Sequence, residues 1–405
     1  MGKIVKISKK SILQKGKGKT RKLAKLEYLY EKESLYFAQV AESVKDIAIQ
    51  ELKNLGAYDL KPVFRGIWFK ATKKDFYRIT YFARLLSRIL APLVSFECHD
   101  KDDLYKAARK IRWEEFLTLK NTFSIVANVS ESEITHSNFA GLRVKDAIAD
   151  YFRDRTNKRP NVNAKDPYII INIHIHKNLA TLTIDASGGA LHKRGYREES
   201  VSAPMQETVA AAIIRLSEWD GSVPLYDPMC GSGTLLCEAL MMYCRIPAQI
   251  FRTSFGFERL PDFDANLWEQ IKKESRDNFK ELKPNMMAGS DVSQHSINAV
   301  KTNIMGLHFG NEIAIEQKDF QDIESIENSM IITNPPYGIR MGKDQNLNKF
   351  YHDFGHFLKT KCSRSTAFVY FGDPKYIKKV PLSPSWKRPL KIGGLDGKLV
   401  KYELY

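Results

Sequence analysis

No long hydrophobic run occurs in this sequence. Nothing approaches the roughly 20 consecutive apolar residues of a membrane-spanning helix, so no membrane span is expected. The N-terminus is basic, but no apolar segment follows it, which argues against a secretory signal. Cysteine is scarce: five in 405 residues, at positions 98, 230, 237, 244 and 362. The count is odd and no C-x-x-C pair is present, so neither a disulfide framework nor a zinc site is expected. A reducing cytosol is the expected compartment. Two glycine signatures are also missing. The strand-to-helix turn "DPMCGSGT" carries no G-K-[ST] of a Walker A loop, and does not read G-x-G-x-x-G, so NAD binding is disfavoured. Acids are the minority charge, with 47 Asp and Glu against 63 Lys and Arg, a net of +16.

That surplus is unevenly placed. Residues 1–35 hold 11 Lys and Arg against 3 Glu, so +8 of the +16 lies there. The run "KKSILQKGKGKTRKLAK" reads as a solvated, flexible basic arm, or as an arm that neutralises the phosphates of a polyanion. With the remaining charge spread over 370 residues, nucleic acid is the favoured partner.

Residues 36–100 read as a compact α+β unit. In "AESVKDIAIQELKNLGA", Val44, Ile47, Ala48, Leu52 and Leu55 share one helical stripe, and Gly56 follows it as the expected C′ residue. "RGIWFKAT" reads as a strand. A second helix is expected after Thr72, with Phe76, Ile79, Ala83, Leu86 and Leu90 on its stripe, then a short strand "VSFEC". This spacing suggests a ferredoxin-like fold. Residues 101–187 repeat the style with a helix "DDLYKAARKI", a strand "FSIVANV", a helix "RVKDAIADYFRDR" and the alternating strand "YIIINIHIHKN". In that strand Ile169, Ile171, Ile173 and Ile175 point one way. Asn172, His174 and His176 point the other, toward an exposed sheet face rather than a metal. "NLATLTIDAS" returns beside it. Residues 188–203 read as a linker.

From 204 to 405 the rhythm becomes βαβ. "VPLYDPMCGSGTLLCEALMMY" and "NMMAGSDVSQHSINAVKTNIM" each read strand, turn, helix. "EIAIEQKDF", "SMIITNPPYG", "STAFVYFGD" and "GKLVKYELY" add strands. The expectation is an α/β domain with a parallel sheet covered on both faces, its ligands at the C-terminal strand ends.

Those ends carry the chemistry. Gly231 and Gly233 in "DPMCGSGT" let the backbone turn sharply and approach a ligand. Asp227 beside them speaks against a phosphate and for a cationic or hydroxyl-bearing ligand. An acid about 20 residues beyond such glycines binds ribose in dinucleotide folds. Glu258 has that spacing but no strand before it. Asp291 ends "MMAGS" and is preferred, with residues 247–285 as an insertion, although a plain helix cap would place an Asp there too. Asp319 ends "EQKDF" and could accept from an adenine amine, with Phe320 packing on the ring. In "MIITNPPYG", the Asn334 side-chain oxygen and the Pro335 carbonyl can both accept from one –NH2 group. Drawing on its hydrogens frees the delocalised lone pair. Pro335 and Pro336 make the acceptors rigid, and Tyr337 offers a face for a planar group. No His or Lys is placed as a general base.

"DPMCGSGT" and "NPPYG", in this order, resemble class I S-adenosylmethionine (SAM) methyltransferases acting on amino nitrogen. With "SGGALHKRGYR", "APMQETVAAAII" and "GGLDGKLVKYEL", nearly everything after residue 36 resembles the THUMP-domain RNA methyltransferases of the bacterial RlmL type, which make N2-methylguanosine in 23S rRNA. The resemblance implies a Rossmann-like SAM domain preceded by a ferredoxin-like plus THUMP RNA-binding module. It implies Asp227, Gly231 and Gly233 around the methionine part of SAM, Asp291 on the ribose hydroxyls and Asp319 on the adenine amine. Asn334, Pro335, Pro336 and Tyr337 would hold the target base. The implied partner is RNA, 23S rRNA or a large-subunit precursor. Some members carry a second methyltransferase domain; this sequence ends before one, so no second modification is expected. The basic arm exceeds what the resemblance explains. DNA adenine-N6 methyltransferases share NPPY, and an inactive RNA-binding ribosome assembly factor is a further alternative.

Overall fold

The computed structural model describes residues 27–200, 205–337, 347–391 and 396–405. Two sheets carry the architecture. The first is built from α1 (Leu29–Glu33), β1 (Leu35–Gln39), α2 (Lys45–Asn54), β2 (Tyr58–Val63), β3 (Gly66–Lys70), α3 (Lys73–Phe82) and β4 (Arg88–Glu97), followed by α4 (Lys101–Arg109), β5 (Thr122–Ser130), α5 (Ser137–Thr156), β6 (Asn161–Val162), β7 (Ile169–His176) and β8 (Leu179–Asp185). Its strand order is β2-β3-β1-β4-β8-β7-β5-β6. One eight-stranded sheet therefore runs through both units expected at 36–100 and 101–187, with β4 pairing antiparallel to β1 on one side and β8 on the other. Ile169, Ile171, Ile173 and Ile175 of β7 are buried and His174 and His176 are exposed, but Asn172, expected on the exposed face with them, is buried.

Two expectations are corrected here. Residues 27–35 are not arm: Tyr28 and Tyr30 are buried, and their hydroxyls donate to Glu115 and Asp262. Residues 1–26, the rest of the basic arm, lie outside the described residues. The second helix stops at Phe82, so Leu86 lies in a turn and Leu90 in β4. The cause is tertiary. Buried Glu51 of α2 accepts from the backbone N–H groups of both Arg84 and Leu85, at 3.1 Å each. Those donors leave the helical ladder for a carboxylate on another element.

The second sheet follows α6 (Glu207–Ser217): β9 (Leu225–Asp227), α7 (Thr234–Tyr243), α8 (Ala265–Asp277), β10 (Met287–Asp291), α9 (Gln294–Met305), β11 (Ala314–Gln317), β12 (Met330–Thr333), α10 (Leu347–Lys361), β13 (Ser365–Phe371), β14 (Trp386–Pro389) and β15 (Lys398–Leu404). The order is β11-β10-β9-β12-β13-β15-β14. The first five strands of this order are parallel, but β15 runs antiparallel to β13, and β14 antiparallel to β15. The wholly parallel sheet is thus corrected at one edge, where a hairpin replaces the helical crossover that a parallel pair requires.

The two sheets share one hydrophobic core. Tyr77 of α3 stacks on Phe257 at 4.5 Å, and the Arg84 guanidinium donates to the carbonyls of Met241 and Ile246. Residues 188–200, within the expected linker, are packed too. Arg194 is fully buried, with Nε 3.3 Å from Glu238 Oε1 and Nη1 2.7 Å from the Leu191 carbonyl.

Candidate active site

The order β11-β10-β9-β12 sets four parallel C-terminal ends side by side. Asp291 and Asp227 end β10 and β9, Asn334 follows β12 and Asp319 follows β11 by two residues. Residues from distant stretches meet because each crossover returns the chain to the same edge.

The turn after β9 is shaped by its glycines. Gly231 and Gly233 have φ of +54° and +80°, where a side chain is strained. A β-carbon on Gly233 would also lie 2.4 Å from Val300 Cγ2 of α9. The Gly231 N–H donates to Asp291 Oδ2 at 2.9 Å, and Ser293 N–H to Asp291 Oδ1 at 2.9 Å. The Asp291 carboxylate therefore joins the glycine turn to the end of β10. Asp227 is buried, and accepts from Met229 N–H at 3.1 Å. Burial pushes its carboxyl up to about 7, and the charge of Asp291 adds to the rise. Asp227, Asp291 and Asp319 thus set three acids at one edge of a chain of net charge +16, a local concentration of carboxylates that attracts positive charge.

Asp319 accepts from Gln321 N–H at 3.0 Å, opening a short 3-10 turn. Its neighbour departs from expectation. Phe320 is only 5% exposed, packed edge-on against Phe350, Phe354 and Phe357 at 5.5–5.6 Å. Its ring belongs to the α10 core, and little of it is left for an adenine. The exposed apolar group near this edge is Val292, 64% exposed and next to Asp291. The sequence reading passed over it, although a hydrophobic residue directly after the acid in "SDVSQ" was the available signal. Glu258, the other acid weighed for ribose, sits away from these ends and accepts from Phe255 N–H in its own turn.

Beyond β12 the side-chain oxygen of Asn334 is buried with no hydrogen-bond partner among the described residues. A buried acceptor without a donor costs about 1–3 kcal/mol, so its place next to the β9 turn is informative. Pro335 is buried, Pro336 and Tyr337 half-buried.

The sequence reading also missed what holds the glycine turn. Arg197, from "LHKRGYR", pairs with Glu207 at 3.0 Å and donates to Ser232 Oγ, Thr234 Oγ1 and the Met205 carbonyl. Asn303 of α9 accepts from Glu198 and Glu199 N–H and donates to the carbonyls of Glu199 and Ser232. Arg197 lies in a segment that the sequence reading used only for its family resemblance, and Asn303 in one that it read only as a helix.

Comparison with known proteins identifies the domains. The model of the RMKL-like methyltransferase domain matches residues 194–401, that of the THUMP domain 98–185, and that of the RlmL ferredoxin-like domain 36–90. The chain belongs to the RMKL-like methyltransferases. These are SAM-dependent enzymes. It is similar to "Putative RNA methyltransferase slr0064" of Synechocystis, with 38% identity over 91% of this chain and 97% of the relative. It is 33% identical to the ribosomal RNA large subunit methyltransferase K/L of Syntrophotalea carbinolica over 91% of this chain and 53% of the relative. The chain thus spans about half the length of that K/L enzyme. Among solved structures, SMU.472, "a putative methyltransferase complexed with SAH", superposes with a TM-score of 0.80 at 26% identity, covering 92% of this chain and 98% of that one. No helix among the described residues is long and apolar enough to cross a membrane.

Proposed function

We propose that the protein methylates an exocyclic amine of a base in RNA, namely guanine N2 in 23S rRNA or a large-subunit precursor. The observation that carries this reading is the buried, unpartnered Asn334 oxygen beside the glycine turn. SAM, when bound, supplies an electrophilic methyl group on a sulfonium. Asp227, Gly231 and Gly233 hold its methionine end, where Asp227 faces positive charge. Asp291 takes the ribose hydroxyls, Asp319 the adenine amine, and Val292 the adenine face in place of Phe320. The Asn334 oxygen and the Pro335 carbonyl accept the two hydrogens of the target amine, and Tyr337 stacks on its base. The freed nitrogen lone pair forms the N–C bond as the C–S bond breaks. The electron pair stays on sulfur, and one amine proton leaves to solvent. Positioning accounts for most of the rate. A base inside a duplex or stack must be turned out to reach this edge, and the THUMP-containing sheet grips folded RNA by shape and phosphate.

Support for RNA comes from the THUMP match and from the names of the relatives. The test combines nucleoside mass mapping of rRNA from cells lacking the protein with single-turnover methylation of that rRNA. Loss of one N2-methylguanosine in the cells, restored by the purified protein, is the expected result. Restoration of a different base amine would refute the guanine assignment, and methylation of duplex DNA instead would refute RNA. Asn334→Ala should lower the single-turnover rate by roughly 10²–10³, as for loss of one preorganised transition-state partner, with RNA and SAM binding retained.

A further inference from the structure

Pro335 and Pro336 have no N–H, so the turn carrying the two proposed acceptors cannot be held by its own donors there. Something outside it must fix its carbonyls. Tyr351 of α10 is fully buried, its ring stacked on Tyr376 at 4.9 Å and 13° and on Phe371 at 5.4 Å and 27°. A phenylalanine would satisfy that packing. The tyrosine hydroxyl instead reaches the turn and donates to the Pro336 carbonyl at 3.1 Å. A buried hydroxyl is costly unless bonded, so this contact gives it a purpose. The Pro336 carbonyl belongs to the peptide that links Pro336 to Tyr337. Holding it sets the direction in which the Tyr337 ring leaves the backbone.

The ring itself meets a second support. Gly372 is buried directly after β13, and a β-carbon there would lie 2.5 Å from Cε2 and Cζ of Tyr337. Only a residue without a side chain lets the ring rest at that depth. The carbonyl and the ring are thus set by two different elements, α10 and the end of β13.

We infer that Tyr351 and Gly372 are positioning residues for methyl transfer, Tyr351 through the Pro336 carbonyl and Gly372 through the Tyr337 ring. The inference rests on the reading that Asn334 and Tyr337 hold the target base. Neither residue touches substrate, so their loss should appear in the rate of the bound complex rather than in affinity.

The experiment is single-turnover methylation by the full chain, with saturating SAM and rRNA from cells lacking the protein, beside separate measurements of SAM and rRNA affinity. Tyr351→Phe keeps both ring stacks and removes the hydrogen bond to the Pro336 carbonyl. Its rate should fall roughly twofold to tenfold, with both affinities unchanged. Gly372→Ala displaces the ring and should cost at least about tenfold, since a misplacement near 1 Å can cost about a hundredfold. In a Tyr337→Ala background Gly372→Ala should cost nothing more, because the ring it displaces is gone. A purely structural role would leave its cost intact in that background. Asn334→Ala is run alongside. If Asn334→Ala keeps the wild-type rate, the reading of the site fails. If Asn334→Ala collapses while Tyr351→Phe runs at the wild-type rate, the positioning role of Tyr351 is overturned, whether or not Gly372→Ala folds. Equal Gly372→Ala losses with and without the Tyr337 ring overturn the role of Gly372.

Discussion

Asp227 is a buried carboxyl through which stability, and SAM binding at the proposed site, should depend on pH. Burial raises it from an ordinary value of 3.8 to about 7. A group with a raised folded pKa keeps its proton longer in the folded state, so the fold loses stability as pH rises from 3.8 toward about 7. Asp227→Asn removes that titration. Without ligand, the variant should be the more stable protein above about pH 7, with the difference closing as pH falls toward 3.8. Denaturant midpoints at a series of pH values would show it. SAM binding should show the opposite sign. A cation favours the ionised carboxylate, so wild-type affinity should strengthen as pH rises through about 7. Calorimetry on Asp227→Asn corrects for titration of the ligand. If wild type and variant share one pH profile, Asp227 does not face the cationic end of SAM. At the same scale, Asn334 and Phe320 mark what sequence shows and what it hides. NPPY chemistry made Asn334 a candidate acceptor, and its oxygen is buried without a donor among the described residues. Phe320 stands beside Asp319, but three rings of α10 compete for it and win.

Helix ends were the least legible elements. The stripe Phe76, Ile79, Ala83, Leu86, Leu90 has a good helical period, yet the helix stops at Phe82. Local pattern cannot anticipate that Glu51, more than 30 positions earlier, captures two N–H groups of the following turn. Glu51→Ala should strand both donors in the core, costing about 2–6 kcal/mol at roughly 1–3 kcal/mol for each unsatisfied group. Glu51→Gln, which keeps an acceptor oxygen, should cost less. Chemical denaturation of the two variants measures the difference, and equal losses would assign the turn to packing instead. The strands that were legible, β5, β7 and the parallel ends carrying the site, combine strict periodicity with clear turn residues. The hairpin of β14 and β15 was not, because "SPSWKRPLK" alternates too weakly and the direction of a last strand has no local signature.

At the scale of the whole molecule, charge far from the site bears on how RNA reaches it. Residues 1–26 carry 10 of the Lys and Arg residues. If they neutralise phosphates, removing them should weaken rRNA binding and flatten its salt dependence, with a slope change of about 0.7–0.9 for each phosphate no longer neutralised. Single-turnover rates at saturating RNA should stay the same. Affinity measured across a salt series decides it, and an unchanged slope would leave the arm as a solubilising tail.

By itself the sequence determined which candidate groups the strand ends carry and their order along the chain. The glycine turn, the acids at strand ends and the NPPY acceptors are local: each needs only a strand before it and a few residues of fixed type. The motifs of the sequence likewise carry the resemblance that implies a THUMP-type module before a SAM domain, and motifs are legible without knowledge of contacts. Tertiary structure decided the rest. It joined two units into one sheet through β4, ended α3 with a distant carboxylate and buried Arg194 inside a supposed linker. It also packed Phe320 into the α10 core, left Val292 exposed beside Asp291, and set Tyr351 and Gly372 behind the Asn334–Tyr337 turn. These outcomes depend on which buried groups find partners across large sequence separations, a competition settled by packing and hydrogen-bond satisfaction in three dimensions.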